Sequence, residues 1–557
     1  MGYGMIVLRV RSLLVLAGTA LALVSFLAGQ AWALASNNVP LGSPVYQYLD
    51  KLAGLGLIRS EVKGIRPYAK AEVARLVMEA EESLPEMEEG EGADFAESLI
   101  KRIKDFIPRE LRDLENPDEV PTFGYNLLSS ANLRYVYLNG EPRNYTRIAK
   151  DPGHQSAFGF IGGDLRPDYA PYVLKAGTEG TPLMENTEGV IYRDGSNGYL
   201  NWTSELFITD LVSFLFEPNL VATPGSTEVN LQKGYVKVGG GGLELEVGRD
   251  ANWFGPGYRG ALTLTNTARN FDLIKLSSPE PLDVAWVKEY LGLFKYSLIF
   301  SRFNETTFAG SYPPGATNSV RLTRQPYFIG IKLDLKPVDW FEMGINFARQ
   351  EGGPGFSGST GIFDFIFGGG STNKSNTIAG VDLRFRIPWL RNTEVYGEFV
   401  GEDAASFWPF VESYIAGIYI PRLTDSGKDD LRLEYFWGHQ ILYSDFKFPF
   451  GYTYYNMSPG HSQGGGTQDF LVRYSHWFTP RNNIALEYIY TDRGRQGRVN
   501  GQVVEIKNAW RGYWSLPLYR EIDITLGYGW ENVRNLNLVN GVNRTNQVAT
   551  ITFTYNY

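Results

Sequence analysis

One stretch of the chain concentrates side chains that could do chemistry. Between Gly248 and Pro279 it carries Arg249, Asp250, Trp253, Gly255-Pro256-Gly257, Tyr258, Arg259, Asn266, Arg269, Asn270 and Asp272. Flat rings offer apolar faces to the C–H surfaces of a pyranose, while Asn, Asp and Arg make directional hydrogen bonds to hydroxyls. An arginine can also hold a uronate carboxylate through two parallel bonds. Arg249, Asp250, Trp253, Tyr258, Arg259 and Asn266 are therefore candidate carbohydrate contacts. The competing reading is architectural: Gly-Pro-Gly turns the loop inward, and Arg249 pairs with Asp250 to pin it to a wall.

Catalytic arrangements fit the sequence poorly. There are four histidines, His154, His439, His461 and His476, and none has the H-E-x-x-H spacing of a zinc protease. The glycine-rich run from Gly368 to Ser375 lacks the glycine that a phosphate-binding loop places before its lysine, here Lys374. Ser458 near His461 suggests a nucleophile and base, but no acidic third member or oxyanion donors can be placed. His461 reads as a loop hydrogen-bonding residue or a glycan contact. Glu244 and Glu246 stand two residues apart, about 7 Å on one strand face, a separation of the order that glycoside hydrolysis uses. Nothing in the sequence raises one pKa above the other, so they read as solvated wall residues. The chain is expected to be no enzyme, with no cofactor and no metal.

The elements that must position these residues are strands. From Thr122 onward period two dominates: Leu243, Leu245 and Val247 alternate with Glu244 and Glu246, and Phe341, Met343, Ile345 and Phe347 with Glu342, Gly344 and Asn346. Leu431, Leu433, Tyr435 and Trp437 alternate with Arg432 and Glu434 in the same way. The last strand, with Ile551, Phe553, Tyr555 and Tyr557 against Thr550, Thr552, Thr554 and Asn556, runs to the final residue. In a soluble sheet that would be an exposed hydrophobic edge. A closed barrel removes the edge, and a bilayer accounts for the apolar outer face. About eighteen strands are predicted. Asp194-Gly195 and Gly239 to Gly242 read as tight turns; Asn304–Gln325, Glu351–Asn376 and Pro449–Thr467 read as long loops. Inward residues carry both signs, among them Glu398, Glu434, Asp523, Arg384, Arg386 and Arg432, and opposite charges facing across a lumen would narrow it.

The beginning of the chain differs. Arg9 and Arg11 precede an apolar run from Leu13 to Leu27, then Ala33-Leu34-Ala35, the layout of a secretory leader over residues 1–35. Residues 36–118 read as a periplasmic helical domain, a plug or lid, and 122–557 as an outer-membrane barrel. One helix follows Ser43-Pro44 with Val45, Leu49 and Leu52. A second spans Ala69 to Leu84, and a third begins at Asp94 with Glu97 as capping partner and stops or kinks at Pro108. The acidic run from Glu79 to Glu91 reads as a solvated linker. The chain has no cysteine and a formal charge of −9, or −11 without the leader's two arginines. That excludes disulfides and thiolate metal sites, and argues against a nucleic-acid partner, which needs a basic face.

The sequence also resembles a known family, the capsule-assembly proteins of the Wzi type. The resemblance rests on Gly248-Arg249-Asp250 with Trp253 and Gly255-Pro256-Gly257, on Glu434-Tyr435, and on Gly451-Tyr452-Thr453-Tyr454 followed by Gly460-His461 and a glycine run. It covers nearly the whole mature chain. It implies an outer-membrane lectin, a barrel of about eighteen strands that holds secreted polysaccharide at the cell surface, and it adds Glu434, Tyr452 and His461 to the candidate contacts. Where the family often continues Glu-Tyr with Ala-Asp-Thr, this chain has Phe436-Trp437-Gly438. The expected partners are an acidic surface polysaccharide, outer-membrane lipid and polysaccharide export machinery, around a monomer. A substrate-specific porin and a surface hydrolase are the competing functions.

Overall fold

The structure, a computed structural model, describes residues 34–116, 120–151, 169–174, 176–282, 285–311, 318–356, 375–402, 411–445 and 448–556. The expected leader, up to residue 33, and Tyr557 lie outside the described residues.

Among the described residues eighteen antiparallel strands, from Phe123–Asn139 to Arg544–Asn556, form one closed barrel. Each bonds to the next in chain order, and the last pairs with the first, Ser130 opposite Asn556 through Asn139 opposite Gln547. Closure satisfies the backbone groups that an open edge would leave bare. The alternation sets the two faces. On Leu243–Asp250, Leu245 and Val247 are 42% and 48% exposed outside, whereas Glu244 and Glu246 are 2% and 0% exposed inside. Leu133, Tyr135, Phe216, Trp510, Tyr528, Ile551 and Phe553 continue the exposed apolar outer face. An outer face this rich in exposed apolar side chains suits lipid rather than water.

The strand ends differ. Short turns at 209–211, 241–242, 480–481 and 520–521 mark one end of the barrel, and most of the long connections lie at the other, together with the tight turn at 224–225. Asp194-Gly195 is not the tight turn expected. Gly195 opens the strand Gly195–Ile208, and Asp194 accepts a hydrogen bond from Gly140 N–H at 2.9 Å, closing the base of the long connection 140–194. The expected loop after Asn304 contains a hairpin of Thr306–Ser311 with Ser319–Arg324, and most of the next one, 357–374, lies outside the described residues.

Among the described residues four helices ahead of the barrel cover the short-turn end, α1 (Val45–Gly54), α2 (Lys70–Ser83), α3 (Glu91–Lys104) and α4 (Pro108–Glu115), and a further short helix, Ala285–Leu291, lies in a strand connection at the same end. α3 begins three residues earlier than expected. Gly90, with φ 151°, turns the chain into it, and Glu91 and Asp94 both sit in its first turn, where carboxylates suit the helix dipole. Pro108 starts α4, a helix the sequence reading missed, at the one position where its missing N–H costs nothing. Leu49, Leu52, Val73, Leu76, Val77, Leu99, Ile103 and Ile107 are buried between the helices, and Trp477 of the wall completes that core. Lys51 Nζ donates to the carbonyls of Pro421 and Gly427 at 3.0 and 2.9 Å and pairs with Asp430 at 2.7 Å, which anchors α1 on the barrel's rim.

Candidate functional site

The lumen is filled from both ends. From the helical side, the segment between α1 and α2 rises inside, where the N–H groups of Lys63 and Gly64 donate to Glu342 Oε1 at 2.9 and 3.0 Å. From the opposite side, the connection 251–270 folds down. The two meet as a two-residue antiparallel ladder, Ile65 opposite Phe254 and Arg66 opposite Trp253, extended by Gly255 N–H to the Gly64 carbonyl at 2.9 Å. Charges on the wall serve this filling. Arg384 pairs with Glu342 and Glu394, Lys63 pairs with Glu394 at 3.1 Å, and Arg432 pairs with Asp50 of α1 at 3.1 Å. The opposite charges thus pair between neighbouring strands and with inserted chain, not across an empty lumen as expected. Glu244 and Glu246 are not solvated either: Lys237 and Lys275 hold them at 2.7 and 2.8 Å. Each carboxylate thus has a lysine of a neighbouring strand as its partner.

Eight of the nine candidate contacts belong to this filling. Glu434 Oε2 and Oε1 accept from the backbone N–H groups of Tyr258 and Arg259 at 2.6 and 2.8 Å, and Tyr396 donates its hydroxyl to Oε2 at 2.7 Å. Arg259 is buried and donates to Asp469 at 2.5 Å and Glu185 at 3.2 Å. Burial pushes the Glu185 carboxyl up, but Arg511 and Arg259 beside it outweigh that and hold it down at about 2. Tyr258 is half-buried, its ring 4.6 Å from the Arg432 guanidinium and 5.4 Å from that of Arg473. Trp253 is buried under Arg66, 5.2 Å from the ring, and donates Nε1–H to the Gly255 carbonyl. Asp250 accepts from Asn38 Nδ2 at 2.7 Å. Asn266 donates to the Asn186 carbonyl at 3.3 Å. Tyr452 is fully buried and donates to the Thr263 carbonyl at 3.0 Å.

His461 lies flat on Phe436, 3.7 Å between ring centres. Its Nε2, like Asn266 Oδ1, has no hydrogen-bond partner among the described residues. Burial drives its pKa down to about 3, so the ring stays neutral. Gly260 gives it room: a Cβ there would come 2.1 Å from His461 Cδ2. Ser458 Oγ accepts from Gly460 N–H at 3.1 Å and is not engaged by His461. Two residues outside the nine candidates pin the loop. Glu398 accepts from Leu262 N–H through both oxygens, and Tyr443 donates to the Leu262 carbonyl at 2.6 Å.

Arg249 is set apart. Asp250 faces the lumen, so its chain neighbour Arg249 faces outward. It does not pair with Asp250. It grips Asp272 with two bonds of 2.7 and 2.9 Å and donates to the Leu231 carbonyl.

The sequence profile described as Capsule assembly protein Wzi matches residues 166–548. The chain belongs to the Wzi family. It is 26% identical over 182 residues to an uncharacterized 55.8 kDa protein of the cps region of Klebsiella pneumoniae, a match spanning 31% of this chain and 33% of that relative. The solved structure of Wzi from Escherichia coli superposes with a TM-score of 0.64 at 16% identity, covering 94% of this chain and 100% of the other. That Wzi is described as an outer-membrane, carbohydrate-binding β-barrel involved in group 1 capsule assembly. A looser likeness to Pseudomonas aeruginosa OccK11 (OpdR), with a TM-score of 0.39 at 10% identity over 76% of this chain and 94% of that one, carries no argument.

Proposed function

We propose that this Wzi-family barrel spans the bacterial outer membrane and binds exported acidic polysaccharide, helping to assemble or retain it at the cell surface without catalysis. The helical end faces the periplasm and the long connections face outward. The observation that carries the reading is the junction of Ile65–Arg66 with Trp253–Phe254 inside the lumen. A barrel filled from both ends at its middle is built to hold a ligand at its surface rather than to pass one. The eight lumen-side candidates, Asp250, Trp253, Tyr258, Arg259, Asn266, Glu434, Tyr452 and His461, serve this function by fixing the shape of the outer mouth, and Arg249 serves it by direct contact. Deleting the gene should shift surface polysaccharide into the culture medium while its total amount stays the same, and re-expression should reverse the shift. Unchanged surface retention would overturn the reading. A substrate-specific porin is the alternative, and it requires a conducting lumen.

A further inference from the structure

A patch on the rim with the long connections is built unlike the filled lumen. Tyr455 takes a left-handed backbone, φ 48°, and Asn456 follows at φ 66°. Asparagine tolerates that region, but for a bulky ring residue it is strained and persists only when its surroundings impose it. Here they do. Tyr455 N–H donates to Asn304 Oδ1 at 2.8 Å, Tyr454 and Met457 exchange backbone hydrogen bonds, and Thr178 N–H donates to the Asn456 carbonyl at 3.0 Å. The outcome is one tyrosine turned in and the next turned out. Tyr454 is buried and stacks on Phe271 at 4.4 Å, whereas Tyr455 leaves 46% of its surface exposed.

One arginine lies beside that exposed ring, and a second is close enough to interact with it electrostatically. The Arg269 guanidinium lies 4.6 Å from the Tyr455 ring centre and reaches Glu228 at 3.9 Å. Its backbone rests on Gly189, where a Cβ would come within 2.6 Å of Arg269 N and where φ is 75°. Arg249 is held on Asp272, the residue after the Phe271 that Tyr454 covers. The partners Asp272 and Glu228 are themselves 70% and 52% exposed. Ion pairs this open to water hold weakly, so an incoming carboxylate can take their place.

We propose that Tyr455, Arg269 and Arg249 form a surface subsite for an acidic sugar unit of a polysaccharide chain. The tyrosine ring stacks on the pyranose face, and the guanidinium groups take the carboxylate. The subsite rests on the reading of the chain as a polysaccharide binder, and its test separates the two. Full-length protein in detergent is assayed for affinity to polysaccharide extracted from the surface of the source cells, to polygalacturonate as an acidic probe and to dextran as a neutral one. Heat-modifiable migration serves as the folding control. Tyr455→Asn, which keeps a residue suited to the left-handed turn and removes the ring, and Arg269→Ala should each weaken binding of the extract by roughly tenfold, with Arg269→Lys between. The double variant Glu228→Gln, Asp272→Asn should tighten polygalacturonate binding and leave dextran unchanged. Folded Tyr455→Asn and Arg269→Ala proteins that bind the extract as tightly as the wild type would overturn the subsite alone. A wild type that binds none of the three would overturn the subsite and the polysaccharide reading together.

Discussion

Replacing Glu434 with glutamine tests whether the inward connection is held by hydrogen bonds to the wall. In the wild type one buried carboxylate receives Tyr258 N–H at 2.6 Å, Arg259 N–H at 2.8 Å and the Tyr396 hydroxyl at 2.7 Å. Glutamine has the same shape but a single acceptor oxygen. Whichever way its amide sits, one backbone N–H meets an NH2 group instead of an oxygen. A hydrogen bond to a charged group contributes about 1.5–3 kcal/mol, and a buried donor left without a partner costs about 1–3 kcal/mol. A loss of about 3 kcal/mol is therefore expected for local opening of the loop. At 1.4 kcal/mol per factor of ten, this raises the open population by roughly 100-fold. Hydrogen exchange in detergent reads that population directly. Peptides spanning residues 255–264 should exchange about 100-fold faster in Glu434→Gln, while peptides from the strands Asn482–Arg493 and Ile522–Arg534 should not change. Equal exchange in the loop would refute the reasoning and assign its closure to the apolar burial of Phe254, Leu262 and Leu264.

Three further outcomes follow from the same geometry. Gly260→Ala places a methyl group against His461, so the ring must leave Phe436; thermal unfolding should show a loss on the order of 1–3 kcal/mol, whereas Gly42→Ala, with nothing within 4 Å, should be near neutral. Burial, and then Glu72, raise the Glu280 carboxyl to about 7 from its ordinary 4.5. The folded state therefore binds this proton more tightly than the unfolded state, and the stability it contributes is lost as pH rises from about 4.5 to about 7. Glu280→Gln should flatten unfolding temperature against pH across that window, and an unchanged slope would count against it. In planar bilayers the intact protein should carry no large steady current, because the Ile65–Arg66 and Trp253–Phe254 junction occupies the lumen; porin-like conductance would favour the alternative function.

Much of the architecture could be read from the chain because it depends on local repetition. Which side of Leu243–Asp250 faces out of the barrel and which faces the lumen follows from period two alone, and so does the existence of most strands. Arg249 was equally legible by parity: counted from Glu244 and Glu246, Asp250 faces in and Arg249 faces out. α4 was missed because Pro108 reads both as a stop and as a start, and only packing against the barrel's rim distinguishes the two.

What no local pattern could supply is the identity of partners. The meeting of Arg66 with Trp253 joins residues far apart in sequence, and the Glu434 hold on Tyr258 and Arg259 crosses a similar distance. A carboxylate on a strand looks the same in sequence whether its partner is water, a lysine on the next strand or the backbone of an inserted loop. Barrel closure decides which. The alternation of faces, the helical head and the chemistry available on each follow from local order along the chain. Closure of the barrel is what turns most of that chemistry inward to fill the lumen, while Arg249, Arg269 and Tyr455 stay at the surface. The physical reason is that side-chain periodicity is a local property of the backbone, whereas a buried polar group must find its partner wherever the closed fold brings one.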